Sequence, residues 1–388
     1  PNSCLSESVR QNALILPLMD FTGWQLAPVC ITEAFDSQAF SVRFNPDNHF
    51  LAAAGGHGTV SVFNVASGKE AYRLHRPGSH TVKQVCWRPE SASASLRTRG
   101  ILVGASTDGK VRQWHVTSGK CLQEFGAGSE DEQLFCVDYN HDGGLLATGG
   151  LKAIFVFDEE TKKQTVRLEG GNYETTAGHS NRVQAVRFLP VDSPWALVSG
   201  GWDNSVQYWD LRAGHAVKAI LGPHICGDSL DVSSDGRHLL TGSYRDQNPL
   251  ELWDLAQEQR IKVIPWRSSG PQEPACFLYT ARFSKDPHNS LIAAGGSFAS
   301  KEDGGEAKIL QYGGPASASK CLGTVVDYTC LSADFASSQT GLLALGGTDG
   351  RVRIMGLKAE GSRPPTTGFG SMHSKLSGYG SSEGLEVK

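Results

Sequence analysis

His179, Ser199 and Asp203 have the residue types of a serine hydrolase, and Trp209 follows shortly after them. In such an enzyme an imidazole takes the serine proton while a carboxylate fixes the imidazole tautomer. The nucleophile also has to stand on a strained turn, usually a G-x-S-x-G elbow, and none surrounds Ser199. A second grouping, His224-Ile225-Cys226-Gly227-Asp228, gathers an imidazole, a thiol and a carboxylate. Metal binding or catalysis there competes with a structural role in the loop leading into a strand, and the structural role is the expectation. No phosphate-binding loop and no H-E-x-x-H pattern occurs. The twelve histidines and the acids are dispersed, so neither a cofactor nor a metal is expected.

The scaffold that would have to position these residues is constrained by composition. With 388 residues the chain exceeds a usual single-core domain, so it needs several domains or a repeat architecture. Its 39% hydrophobic and 20% charged residues fit a folded chain. A net charge of −4 gives no broad electrostatic reason to bind phosphate backbones, which demotes nucleic acid as a partner. The nine cysteines are scattered from Cys4 to Cys330 without a C-x-x-C pair, the pattern of free thiols in a reducing compartment. No apolar run approaches the ~18 residues of a membrane span, and Asn12–Met19 lacks the flanks of a signal peptide.

A short pattern recurs seven times: FSVRF from Phe40, KQVCW from Lys83, FCVDY from Phe135, QAVRF from Gln184, DSLDV from Asp228, YTARF from Tyr279 and LSADF from Leu331. Apolar third and fifth positions around a polar fourth give the period of a strand with one buried face. After a turn comes a small-residue strand ending in glycine, with marker glycines at Gly55, Gly104, Gly149, Gly200, Gly242, Gly295 and Gly346, 42 to 53 residues apart. A third strand follows and often ends in an aromatic, as in VQYWDL (Val206–Leu211) and LELWDL (Leu250–Leu255). Four short strands per unit, repeated seven times, predict an all-β fold, a seven-bladed propeller of four-stranded antiparallel blades. The apolar-rich segment 24–35 is expected to close the ring as the outer strand of the last blade. That gives a leader over 1–23, a propeller over 24–357 and a Gly/Ser-rich tail over 358–388.

These units resemble the WD-repeat family from roughly Trp24 to Leu357. The fourth is the most specific, with Gly178-His179, Ser199, Asp203 and Trp209-Asp210 at the family's spacing. The resemblance implies that His179, Ser199, Asp203 and Trp209 form a structural hydrogen-bonded relay and do no chemistry. Other units depart from the pattern. The second has Gly104 where the serine belongs, the third is a residue short at Gly149-Gly150-Leu151-Lys152, and the first and seventh end in Phe63-Asn64 and Met355-Gly356. Ser297–Glu306 of the sixth reads as an inserted, exposed loop.

The resemblance also implies one face built from the loops before each inner strand and between second and third strands. His57, Lys152, Arg182, Trp202, Tyr244 and Arg245 are the candidate partner-binding residues there, chosen because Trp, Tyr and Arg dominate binding hot spots. A loop with Arg97 and Arg99 is a second possible contact on the opposite face. The expected function is a non-catalytic scaffold for other proteins of a large complex. An enzyme with a channel-mouth active site and a nucleic-acid-binding propeller are the alternatives. A cytoplasmic setting is expected, and resemblance to WD-repeat proteins of flagellated eukaryotes suggests a cilium or flagellum.

Overall fold

The computed structural model describes residues 21–33, 35, 37–74, 80–90, 100–128, 131–171, 174, 176–190, 195–267, 274–299, 304–314, 319–337 and 341–359. Arg97, Arg99, the tail beyond Ala359 and the leader before Phe21 therefore lie outside the described residues. The strands, β1 (Trp24–Glu33) to β28 (Arg351–Ala359) in chain order, form seven four-stranded antiparallel sheets around a central channel. Six sheets are consecutive meanders, beginning with β2 (Ala39–Phe44), β3 (Phe50–Gly55), β4 (Val60–Asn64) and β5 (Glu70–Leu74). The seventh has the order β1-β28-β27-β26, with β26 at Cys330–Phe335 and β27 at Leu342–Gly347.

Burial changes across each blade, and the residue types change with it. Second strands are sandwiched between neighbouring blades and buried on both faces, so they read as continuous small apolar runs: every residue of β7 (Ile101–Ser106) and β15 (Ala196–Gly201) is buried. Outer strands such as β5 are mostly exposed and polar. The marker glycines sit where blades approach most closely. A Cβ on Gly149 would lie 2.7 Å from Val183, and one on Gly200 would lie 2.7 Å from Ile225. Both neighbours belong to the chain leading into or forming the next blade's inner strand, so a larger residue would push two blades apart.

The inner strands are also stitched to one another. Ser332, Ser41 and Thr280 accept hydrogen bonds through their hydroxyls from the backbone N–H of Val42, Val85 and Ala333, each in the following blade. The Gln84 side-chain carbonyl does the same for Val137 at 2.7 Å. These bonds take second-position side chains to third-position N–H groups, so the repeat register aligns the blades as well as the strands.

Closure follows the expected route. β1 pairs antiparallel with β28 from Trp24↔Ala359 to Glu33↔Arg351, with a bulge at Val29. Pro28, which lacks an N–H, sits on this outermost strand and blunts the edge. Phe21, before β1, is buried in the core shared by the last two blades, and β28 runs to Ala359. The sixth unit departs further from expectation. Ser297 and Phe298 belong to β23 (Leu291–Phe298), while Gly305 and Glu306 begin β24 (Gly305–Gln311). These four residues extend the hairpin's strands, and 300–303 between them lie outside the described residues. Glu306 is buried and accepts from Trp266 Nε1 at 2.6 Å. No helix among the described residues is long and apolar enough to cross a membrane.

Candidate functional site

In blade four, β14 (Val183–Phe188), β15, β16 (Ser205–Asp210) and the loop before β14 assemble the His/Ser/Asp set. His179 Nε2 lies 2.7 Å from Ser199 Oγ, and its Nδ1 lies 2.8 Å from Asp203 Oδ2. Trp209 Nε1 donates to the same Ser199 oxygen at 2.7 Å. The Asp203 carboxylate can only accept, so it takes the proton on Nδ1; in the neutral imidazole that leaves Nε2 to accept the Ser199 hydroxyl proton, while the hydroxyl oxygen accepts from the indole. Asp203 also accepts from Ser180 N and Ser205 Oγ at 2.9 Å each. Burial alone would raise the Asp203 carboxyl, but the bonds and charge from His179 and the Ser180 N–H hold it below the usual carboxylate range. Ser199 and Trp209 are both 0% exposed, so no substrate reaches the hydroxyl. The arrangement ties a loop to the blade interior. Asp203→Ala is expected to cost about 1–3 kcal/mol, because it leaves buried donors without their acceptor. A urea or thermal unfolding curve matching that of the unaltered protein would refute this role.

The other blades substitute different partners. In blade five Trp253 Nε1 donates to Thr241 Oγ1 at 3.0 Å. In blades two and seven, Asp108 and Asp349 pair with Arg112 and Arg353 four residues later. Gly104 leaves no hydroxyl in blade two, and its missing Cβ makes room for the Trp114 ring.

The channel holds a feature that the sequence pattern hid. The polar fourth positions of the inner strands, Arg43, Cys86, Asp138, Arg187, Asp231, Arg282 and Asp334, alternate in charge around the ring except at Cys86. Asp334, Asp138 and Asp231 each accept from the backbone N–H of the following blade, at Phe44, Phe188 and Phe283, over 2.8–2.9 Å. Asp228 reaches in above them. Arg43 and Arg187 both donate to it, and so does Gln84 Nε2 at 2.8 Å. Burial opposes the Asp228 charge, yet the two guanidiniums hold its carboxyl below the ordinary range. Asp231 goes the other way: burial, only partly countered by Arg187, pushes it up to about 7. Together these groups plug the channel with paired charge.

Above that plug the mouth opens as a cavity of about 540 Å³. Phe40, Phe135, Tyr279, Phe298 and Leu331 supply apolar wall, Asp228 forms the floor, and Lys83 and Gln184 contribute polar groups. Tyr244 stacks on Phe277 with ring centroids 4.8 Å apart and packs against Tyr279 at 5.2 Å. The lengthened hairpin of blade six places Phe298 at this mouth, and its Ser297 pairs with Phe277 of the blade's inner strand.

The sequence profile described as WD domain, G-beta repeat matches residues 28–64 and 171–210, the first and fourth units. Two of the seven units are therefore WD repeats. Its relatives include the transcriptional corepressor LEUNIG_HOMOLOG of Arabidopsis thaliana, 27% identical over 191 residues, covering 49% of this chain and 21% of that protein. The U3 small nucleolar RNA-associated protein 21 homolog of Schizosaccharomyces pombe is 28% identical over 200 residues, covering 50% and 20%. WD repeat-containing protein 1 of Xenopus tropicalis is 26% identical over 180 residues, covering 45% and 26%. The match spans less than half the length of each of these relatives.

All six candidate docking residues of this propeller lie in second-to-third-strand turns or before an inner strand, hence on one face. The structure brings only some of them together. Trp202 and Tyr244 are each 36% exposed, and Arg182 lies 4.7 Å from the Trp202 ring centroid and 5.6 Å from that of Phe135. Arg245 is committed elsewhere: its guanidinium binds Glu251, which is 1% exposed, together with the Asn248 and Gly222 carbonyls. That residue fixes its own turn. Lys152 is exposed but does not line the mouth, and His57 lines a separate cavity of about 850 Å³ with Arg73, Asp327 and Arg351. His224, Cys226 and Asp228 do not converge. The imidazole meets Asn204 at 2.7 Å, Asp228 faces the channel, and no metal-holding cluster occurs among the described residues. Lys83 is a mouth residue that the repeat pattern did not single out. All eight described cysteines are free.

Proposed function

We propose that this propeller is a non-catalytic scaffold that docks other proteins of a multiprotein assembly on the face around the channel mouth. WD-repeat propellers generally act as protein-interaction scaffolds, and the observation that carries the reading here is the rim itself. Trp202 under Arg182, and Tyr244 stacked on Phe277, put half-exposed aromatic and guanidinium groups beside a concave mouth with a sealed floor. Such groups contribute most to binding when an interface desolvates them, and a rigid rim spares the cost of ordering loops on binding. The cytoplasm, and within it a cilium or flagellum, is the setting we propose from resemblance; none of the relatives named above carries a ciliary name.

The test is capture of the natural partner by the Trp202→Ala, Tyr244→Ala double variant. Loss of binding by roughly thirtyfold or more is expected, since hot-spot truncations often cost 2 kcal/mol or more. His141→Ala with Lys163→Ala, on exposed turns of the opposite face, serves as the control, with thermal melts for all variants. Full capture by the rim variant combined with loss in the control pair would move the docking face to the other side.

A further inference from the structure

Charges at the channel mouth are unequally committed. Asp228, on the floor, is neutralised by Arg43 and Arg187, and its two oxygens accept from three side chains. It cannot also serve as the counter-ion of a cationic ligand without breaking the plug. Lys83 and Arg182 are in the opposite condition. The Lys83 ammonium sits 3.8 Å from the centroid of the Phe40 ring, and the Arg182 guanidinium lies against Phe135 and Trp202. Among the described residues, neither has a carboxylate within salt-bridge distance. Lys83 lines the cavity, and Arg182 stands beside it against the lining residue Phe135; Gln38, Gln184, Thr329 and Thr348, which face the cavity with Lys83, are neutral.

Resting on the docking face above, we propose that the mouth receives an acidic side chain of the partner, an Asp or Glu carboxylate flanked by apolar residues, between Lys83 and Arg182. Ring faces are weak substitutes for an anion, so a carboxylate entering here gains two charge-assisted contacts at a partly desolvated site. Burial and the neighbouring Arg182 charge hold the Lys83 ammonium below the ordinary lysine range, and an arriving anion would relieve both effects. The apolar wall of Phe40, Phe135, Tyr279 and Leu331 suits the flanking residues. A phosphorylated side chain is the less favoured anion. Desolvation cost rises with the square of the charge, so a near-dianion is more expensive to bring against this wall than a carboxylate.

The probes are blocked pentapeptides titrated calorimetrically into the full chain: Phe-Glu-Phe-Glu-Phe and its Gln, Lys and phosphoserine versions. The Glu peptide is expected to bind about tenfold or more tightly than the Gln peptide, in line with a charge-assisted hydrogen bond. Added salt should narrow that margin. Lys83→Gln with Arg182→Gln should erase the preference, and Lys83→Arg should retain it, with melts confirming that each variant folds. Equal binding of Glu and Gln peptides, tighter binding of the Lys peptide, response to the phosphoserine peptide alone, or a preference that survives the double variant would overturn the proposal. The two readings fail separately. If natural-partner capture depends on Trp202 and Tyr244 but the peptides show no charge preference, the acidic-ligand inference falls and the docking face stands. If the Trp202/Tyr244 variant captures its partner normally, the docking face itself falls.

Discussion

Asp228→Ala is expected to destabilise the protein by about 3–5 kcal/mol, the range for removing one member of a buried ion pair. The cost comes less from lost attraction than from what remains. Arg43 and Arg187, both buried, would keep their charges with no carboxylate between them. Asp334 stays close enough to act on Arg43, and Asp138 and Asp231 on Arg187, which limits the loss without abolishing it. Gln84 would also lose the acceptor for its amide while still accepting from Val137. Asp228→Asn should cost less, since it preserves shape and one acceptor. Replacing Asp228, Arg43 and Arg187 together by apolar residues of similar volume should cost less than Asp228→Ala alone. Denaturant titration of the three variants checks the order. An Asp228→Ala protein as stable as the original would mean that the channel charges are solvated and contribute nothing.

Truncating the chain to start at Ser37 is expected to lower the apparent melting temperature by on the order of 10 °C and to promote self-association. The deletion removes β1, and with it Trp24, Leu26, Val29 and Cys30, which pack on the last two blades and the first, and the fully buried Phe21. Burial of one large side chain is worth about 1.5–3 kcal/mol, so these largely half-buried residues sum to roughly 5 kcal/mol. β28 would then present an unpaired ladder, a template for a second chain. A truncated protein that remains monomeric and melts at the original temperature would show that closure does not depend on this strand.

Both of these regions bear on what the sequence disclosed. The blades were legible because each one repeats a local pattern: an alternating inner strand, a small-residue second strand and a marker glycine. β1 was legible because Val29, Ile31 and Trp24 have strand-forming types where an outer strand was missing. The blade-four relay was legible because His179, Ser199, Asp203 and Trp209 stand at a recognisable spacing. The channel plug was not. Its fourth-position residues look like the wet side of a half-buried strand, and their partners lie in other blades, as Arg43 and Asp228 do. Asp228 itself was masked by its neighbours His224 and Cys226, which suggested chemistry. Arg245 looked like a free anchor because its partner, Glu251, lies in the next strand, where alternation alone does not reveal an inward-facing acid. Lys83 and Phe40 meet across a blade boundary, so the mouth emerged only in three dimensions.

The pairing of β1 with β28 also sets an order in time. Leu26 finds its partner Leu357 across 331 residues of chain (357 − 26), nearly the whole propeller. At typical synthesis rates the first strand leaves the ribosome on the order of tens of seconds before its partner exists. The blades in between form from local hairpins and can fold as they emerge, whereas the ring cannot shut until the end. Contacts so distant in sequence are slow to form, because the loop they close carries the largest entropy cost. For that interval Trp24, Leu26 and Val29 are exposed on a nascent chain, so the seam that gives the finished ring its closure is also where its birth is most vulnerable to aggregation.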